Sequence, residues 1–376
     1  MIKKISLGYL RVILAFTVMF THYGIVKSTT RLTVSPGAIA VVGFFTISGY
    51  LVYKILDGGR YGAASFKDFL IFVESRYLRI YPLYILVGVF FLLIYFFLGQ
   101  RYSLFHTFFW LSLIPVGIYD FFLDWGKHLW DLGVPSGWGT PWTLTLDVIF
   151  YPAGFVLFRH KKHIEFLFLF LIVWSIAISF FHKKINLPLN DNWWAHYFFD
   201  TAPCMFLAYL GGMLAARYDY RLKLNSVFFT VLSFVILCDV FFYFGFGPFF
   251  QYLLSVIILP LLVSFLYSNG RSKHEDFLGN FTFSLYLLHV EIPDLYSRWS
   301  HWHVIACSIV ISITLSIGMA IYIEGGFIER RRHAYLKRRS NTPMIYSKKY
   351  LELLPIYALL VSSMAYFLWQ MTTSYG

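Results

Sequence analysis

Charge is what this chain has least of. Only 13% of its 376 residues are Asp, Glu, Lys or Arg, against 59% hydrophobic and 22% aromatic, and the mean hydropathy is +0.65. A soluble domain of that balance would have too little polar surface to cover itself. Acidic residues are scarcer still: 19 against 31 basic ones, for a net charge of +12. That excess invites a nucleic-acid partner, but the basic residues fall in short segments between apolar runs, so no nucleic-acid binding is expected. There are three cysteines, Cys204, Cys238 and Cys307, all inside apolar runs, which excludes a disulfide framework. The apolar runs lack the alternation of a porin-like barrel. No carboxylate and histidine set has a metal-ligand spacing; the pairs His160/His163 and His301/His303 read as loop or interfacial residues, and no metal is expected. Internal repeats and an appended soluble domain are also missing.

What is present is a series of apolar runs, many longer than 18 residues, the length that crosses a bilayer as a helix. The expected fold is all-α: a polytopic transmembrane helix bundle of about ten core spans plus one C-terminal span. The spans are placed at 7–25, 37–56, 80–98, 141–158, 164–181, 195–216, 224–245, 249–268, 279–296, 304–324 and 352–372. The first follows Met-Ile-Lys-Lys and has no small-residue cleavage site, so it reads as an uncleaved span. Residues 104–118 are apolar but short, broken by Pro115 and followed by Asp120, Asp124 and Asp131, and are expected to be re-entrant or interfacial on the outer side. Residues 1–328 then form the transmembrane domain, 329–349 a basic cytoplasmic linker, and 350–376 an additional helix.

With the N-terminus in the cytoplasm, 23 of the 31 basic residues lie on the inner side and seven on the outer, Arg11 being the remaining one. The positive-inside rule supports that orientation. It also sets depth: His22 lies near the outer end of span 1, Asp147 about two turns into span 4 from outside, and His289 past the middle of span 9. Arg76 and Arg79 lie at the cytoplasmic mouth, just before span 3.

Five motifs stand out. The first is Arg11 with His22, eleven residues apart inside one apolar run. At about 100° per residue, both project from one face of a helix, about 16 Å apart along its axis. Ionisable groups in a span face a protein interior or a watery cavity, so this stripe marks a polar path, although snorkelling to the two interfaces is the plain alternative. The second is Phe44-Phe45-Thr46-Ile47-Ser48-Gly49, whose small pair lets another helix, or a thin ligand chain, approach the backbone. The third is Arg76-Tyr-Leu-Arg79-Ile-Tyr-Pro82, two guanidiniums at i and i+3 able to hold phosphate oxygens bidentately, or simply inner-side charge beside anionic membrane lipid. Pro82 suits the start of span 3. The fourth is Trp142-Thr143-Leu-Thr-Leu-Asp147-Val-Ile-Phe-Tyr151, with an aspartate that needs a partner inside the membrane. The fifth is Ser284-Leu-Tyr286-Leu-Leu-His289.

In this order, from residue 6 to 289, the five motifs resemble the membrane acyltransferase-3 family. Its members typically show an arginine, ten residues and a histidine; Phe-Phe-x-x-Ser-Gly; Arg-x-x-Arg-Ile-x-Pro; Trp-Ser-Leu-x-x-Glu-x-x-Phe-Tyr; and a late Ser-x-Tyr-x-x-His. This chain departs at Asp147, where glutamate is usual, and at Thr143, where serine is usual. It also carries no fused esterase-like periplasmic domain of the kind found in some relatives. The resemblance implies transfer of an acyl group, most often acetyl from acetyl-CoA, to a hydroxyl of an extracytoplasmic carbohydrate such as O-antigen, capsule or exopolysaccharide. It places the chain in the bacterial inner membrane, with acyl-CoA, a glycan acceptor and membrane lipids as partners.

The expected division of labour follows. Arg76 and Arg79 hold the phosphates of CoA, and its arm passes Ser48, Gly49 and Arg11. His22 acts as general base or transient acyl acceptor, Asp147 orients it, and His289 contacts the oxyanion or the acceptor. Trp142, Tyr151 and Tyr286 are the substrate-binding candidates. The rival classes are a transporter or flippase, in which the same groups relay protons or bind a polar substrate, and a membrane scaffold for polysaccharide synthesis.

Overall fold

The structure is a computed structural model, and it describes residues 7–25, 35–59, 65–99, 141–185, 202–218, 247–267, 273–299 and 304–331, with Tyr61 and Leu111. The expected spans 224–245 and 352–372, the segment 104–118 apart from Leu111, and nearly all of the basic linker lie outside the described residues. Among the described residues there is no strand, and the all-helical expectation holds. The helices are α1 (Leu7–His22), α2 (Pro36–Asp57), α3 (Phe66–Phe97), α4 (Pro141–Arg159), α5 (Lys161–Ile185), α6 (Ala202–Tyr218), α7 (Gly247–Leu266), α8 (Lys273–Leu288), α9 (Glu291–Trp299) and α10 (Val304–Gly318), the last continuing as a π-helical stretch over Met319–Ile328. Five of the described helical segments are long and apolar enough to cross a membrane: Pro36–Asp57, Phe66–Phe97, Lys161–Ser179, Phe249–Leu266 and Val304–Arg331.

The helix ends follow from local sequence. Ser35 caps α2 by accepting from the Ala38 amide at 3.2 Å, and Pro36 occupies a first-turn position where its missing N–H costs nothing. At the other end of span 1, Gly24 has φ +70°. The Gly24 amide donates to the Thr21 carbonyl and the Ile25 amide to the Phe20 carbonyl, both at 3.0 Å. That pair of bonds around a left-handed glycine is a Schellman cap, and it makes His22 the last helical residue of α1.

Two expected spans are corrected. Span 3, placed at 80–98, begins at Phe66 instead. A capping box nucleates it early: Ser65 accepts from the Asp68 amide at 3.1 Å, while Asp68 accepts from the Ser65 amide at 2.9 Å. Pro82 therefore lies inside the helix and not at its start. The stretch from Ile80 to Phe97 is about 27 Å long, close to a bilayer's hydrocarbon thickness, so Arg76 and Arg79 stay at one boundary of it although the helix runs through them.

Span 9, placed at 279–296, is two helices: α8 stops at Leu288, His289 and Val290 form a turn, and α9 starts at Glu291. Pro293 supplies the reason. Inside a continuous helix its ring would strike the carbonyl four residues back, that of His289, and one hydrogen bond would be lost. In the first turn of α9, Pro293 is tolerated, and Glu291 and Asp294 complement the positive helix start.

The chain groups into two compact units. The first takes Met1–Ala64, Ala153–Asn269 and Tyr350–Leu360; its described core is α2 packed on α1, α6 and α7, with α5 on α6. Here α2 and α6 approach backbone to backbone. A Cβ on Gly49 would collide with the Tyr209 carbonyl oxygen, and one on Gly212 with the Thr46 carbonyl oxygen. The second unit takes Ser65–Pro152, Gly270–Lys349 and Val361–Gly376. Its core joins Ile80, Leu83, Val87 and Phe91 of α3 to Leu144 of α4, Leu287 and Leu288 of α8 and Ile292 of α9.

Candidate functional site

In the first unit, α1 carries the opening pair. Buried Leu7, Leu14, Ala15 and Val18 fall, at about 100° per residue, on the same side of the helix as Arg11 and His22. The polar stripe is thus the inward stripe, turned toward α2, where Leu14 lies against Gly43 and Thr21 against Gly37. Arg11 is half-buried within it and His22, at the capped end, is exposed. Ser48 is half-buried on α2. Gly49 serves the helix-packing role of its two expected readings, since the α6 backbone fills the space a ligand chain would need.

The second unit brings four of the singled-out positions together. Thr143, in the first turn of α4, shares a 2.5 Å hydrogen bond with the Tyr286 hydroxyl. Asp147, one turn further along α4, lies within electrostatic reach of that hydroxyl. The His289 Nδ1 is 2.8 Å from the Tyr286 carbonyl oxygen, and the two rings are 5.6 Å apart. A carbonyl only accepts, so Nδ1 carries the proton and the neutral ring keeps its lone pair on Nε2. That is the tautomer a general base needs, set here by a helix C-terminal carbonyl in place of a carboxylate. His289 is buried, as is Ser284. Tyr151 packs partly buried against the unit's core. Trp142 lies in the first turn of α4, and its side chain is outside the description.

The arginines sit at another level of α3. Arg76 is buried at 7% exposure, its guanidinium carbon 5.5 Å from the Phe72 ring centroid; Arg79 is half-buried. A buried guanidinium over an aromatic face is held in place.

Three polar residues of this unit were not singled out from the sequence. The Tyr95 hydroxyl lies 2.9 Å from a Glu291 carboxylate oxygen and 2.8 Å from one of Asp294. These contacts fasten the first turn of α9 to α3, and so fix the turn that holds His289. The sign was available: Glu291, Pro293 and Asp294 in succession are a helix-start pattern, hidden by the apolar residues around them. Among the described residues no group of three His, Cys, Asp or Glu could hold a metal ion.

Comparisons with known proteins show the family. A family profile described as an acyltransferase domain matches residues 4–323. An O-acetyl transferase of Shigella phage Sf6 is 26% identical over 234 residues, covering 60% of this chain and 64% of that protein. The matched region thus spans a little under two thirds of the relative's length. No solved structure matches. With its profile match running through all five motifs and its helices long and apolar enough for a bilayer, the chain belongs to the acyltransferase-3 family of multi-pass membrane proteins.

Proposed function

We propose that this protein is an acyl-CoA-dependent O-acetyltransferase of the inner membrane. It takes an acetyl group from cytoplasmic acetyl-CoA and delivers it to a hydroxyl of an extracytoplasmic carbohydrate, of the O-antigen, capsule or exopolysaccharide kind. Family membership and the relative described as an O-acetyl transferase supply the reaction class. The N-terminus is assigned to the cytoplasm by the charge asymmetry. The observation that carries the reading at residue level is the His289 tautomer, with Nδ1–H held by the Tyr286 carbonyl.

The chemistry needs a base that takes the acceptor's hydroxyl proton as oxygen attacks the thioester carbon, then returns a proton to the departing CoA sulfur. We assign that base, or a transient acyl acceptor, to His22. His289, through its Nε2 lone pair, and Asp147 are assigned to the acceptor hydroxyl, and the Thr143 and Tyr286 hydroxyls to the developing oxyanion, with Trp142 and Tyr151 on the sugar. Arg76 and Arg79 are assigned to the CoA phosphates, and Arg11 and Ser48 to its arm.

The break between α8 and α9 also favours a second reading, since discontinuous helices line substrate sites in transporters. Purified protein supplied with radiolabelled acetyl-CoA separates the two. Release of CoA or of acetyl product by the intact protein, lost in His22→Ala and in His289→Ala, supports the enzyme. Absence of turnover, together with uptake of a polar substrate into vesicles, supports transport.

A further inference from the structure

The corner between α4 and α5 carries charges that the acyltransferase reading leaves unused. Helix α4 ends at Arg159, His160 makes the corner, and α5 starts at Lys161. The His163 amide closes the corner by donating to the His160 carbonyl at 2.8 Å. Lys161 and Lys162 are both exposed. Lys161 is nonetheless held: its Nζ lies 5.0 Å from the Phe158 ring centroid and 5.7 Å from that of Tyr53 on α2, within cation–π range. Its carbonyl accepts from Arg217 Nη1 of α6 at 2.7 Å.

The acid one turn along α5 is already engaged. Glu165 pairs with Arg217 at 3.0 Å, and the Tyr218 hydroxyl donates to the same carboxylate oxygen. Among the described residues, neither the Lys161 nor the Lys162 ammonium is paired with a carboxylate. No acid stands in the first turn of α5, so the two cations add to the positive end of the helix dipole. That arrangement is disfavoured until an anion offsets it.

Beyond the lysines the helix changes character. Over Lys161–Ser179 it is long and apolar enough to cross a membrane. Phe166, Leu169, Val173 and Ile176 are between 46% and 63% exposed. At about 100° per residue, all four fall within about 40° of the direction of Lys162. The ribbon from Lys162 to Ile176 is about 21 Å long, more than the roughly 15 Å of hydrocarbon in one leaflet. One exposed face of α5 is therefore cationic at its head and apolar along its length. A soluble anion would meet only the lysines, and an uncharged lipid only the ribbon. An anionic phospholipid matches both.

We propose that this face is a binding site for an anionic phospholipid, its phosphate on Lys161 and Lys162 and an acyl chain along Phe166, Leu169, Val173 and Ile176. The charge asymmetry of the chain assigns the site to the inner leaflet. This inference does not depend on the acyl-transfer reading.

Native mass spectrometry of the detergent-purified full chain, titrated with phosphatidylglycerol or with phosphatidylcholine, counts the lipids retained. Lys161→Ala/Lys162→Ala is expected to weaken one phosphatidylglycerol step by about twenty-five-fold, at about fivefold for each lysine near an anionic surface. Phosphatidylcholine uptake should stay as it was. Arg330→Ala/Arg331→Ala removes as much charge from other exposed positions and should leave that step intact. Unchanged phosphatidylglycerol binding in the α5 variant, or an equal loss in both variants, overturns the proposal. Leu169→Asn/Val173→Asn keeps the lysines and should weaken the same step; no effect would take the acyl chain off the ribbon. Excess inorganic phosphate tests the source of the anion: the lipid step should persist, and its displacement would make the lysines a site for a soluble anion instead. Elution as a single species confirms that each variant is folded, and Lys161→Gln/Lys162→Gln repeats the test with most of the side-chain length kept.

Discussion

Replacing Gly49 by alanine is a sharp test of how the first unit is held together. The added Cβ would overlap the Tyr209 carbonyl oxygen, a backbone atom that cannot swing aside as a side chain could. To reach ordinary contact, α2 and α6 must separate by about an ångström or more, against an interior packed as densely as an organic crystal. Overpacking of this kind costs about 1–3 kcal/mol, and the upper end is expected because the obstacle is backbone on a helix buried along nearly its whole length. The reciprocal contact of Gly212 with the Thr46 carbonyl lies in the same interface. Once Gly49→Ala has opened the gap, Gly212→Ala should cost little more, so the double variant is predicted to be less destabilised than the sum of the singles, by about 1 kcal/mol or more of coupling. Thermal unfolding of the detergent-purified protein, followed by loss of monodisperse elution, measures all three. A wild-type melting temperature for Gly49→Ala, with a weakened acetyl-CoA affinity instead, would refute the packing argument and return Gly49 to the donor's path. Strict additivity of the pair would show that the two contacts are independent.

Other outcomes follow from single contacts. Gly24→Ala forces a left-handed backbone on alanine and should lower stability by about 1–2 kcal/mol in a thermal melt, with Gly24→Asn retaining most of it. Thr143→Val and Tyr286→Phe remove the two ends of one hydrogen bond, and a double-mutant cycle on acetyl transfer should show coupling of about 1 kcal/mol; no coupling would mean the bond is idle. Arg76→Lys keeps the charge but loses the planar fork and the stack on Phe72, so CoA affinity should fall by about tenfold, and unchanged affinity would leave Arg76 a topology determinant. Pro293→Ala removes the reason for the α8–α9 break; turnover should drop while protein abundance in the membrane holds, and full activity would show that the turn at His289 is not needed.

The residues that read directly from sequence were those whose chemistry is costly in a membrane. An eleven-residue spacing fixes Arg11 and His22 on one face of one helix whatever the neighbours do, and α1 carries Arg11 half-buried and His22 exposed at its capped end. The helix limits were less legible. Hydropathy places the start of span 3 at Ile80, whereas the helix begins at a capping box fifteen residues earlier that carries no hydrophobic signal. Span 9 looks continuous from hydropathy because its apolar residues run through Pro293, and the clash of that ring with the carbonyl at 289 is what breaks it. What sequence could not supply was pairing across the chain. Nothing near Tyr95 points to Glu291, and nothing near Thr143 points to Tyr286; those contacts come from tertiary packing alone.

The proposed reaction is transfer of an acetyl group to an extracytoplasmic glycan with His22 in the chemistry. Mass spectrometry and NMR of the surface glycan from cells carrying the intact gene, its deletion, and His22→Ala at equal membrane abundance test it together. One additional acetyl ester on the repeat unit is expected with the intact gene and is absent from both other strains. Identical glycans in all three strains would contradict the assigned reaction, and an acetylated glycan with His22→Ala would take His22 out of the chemistry.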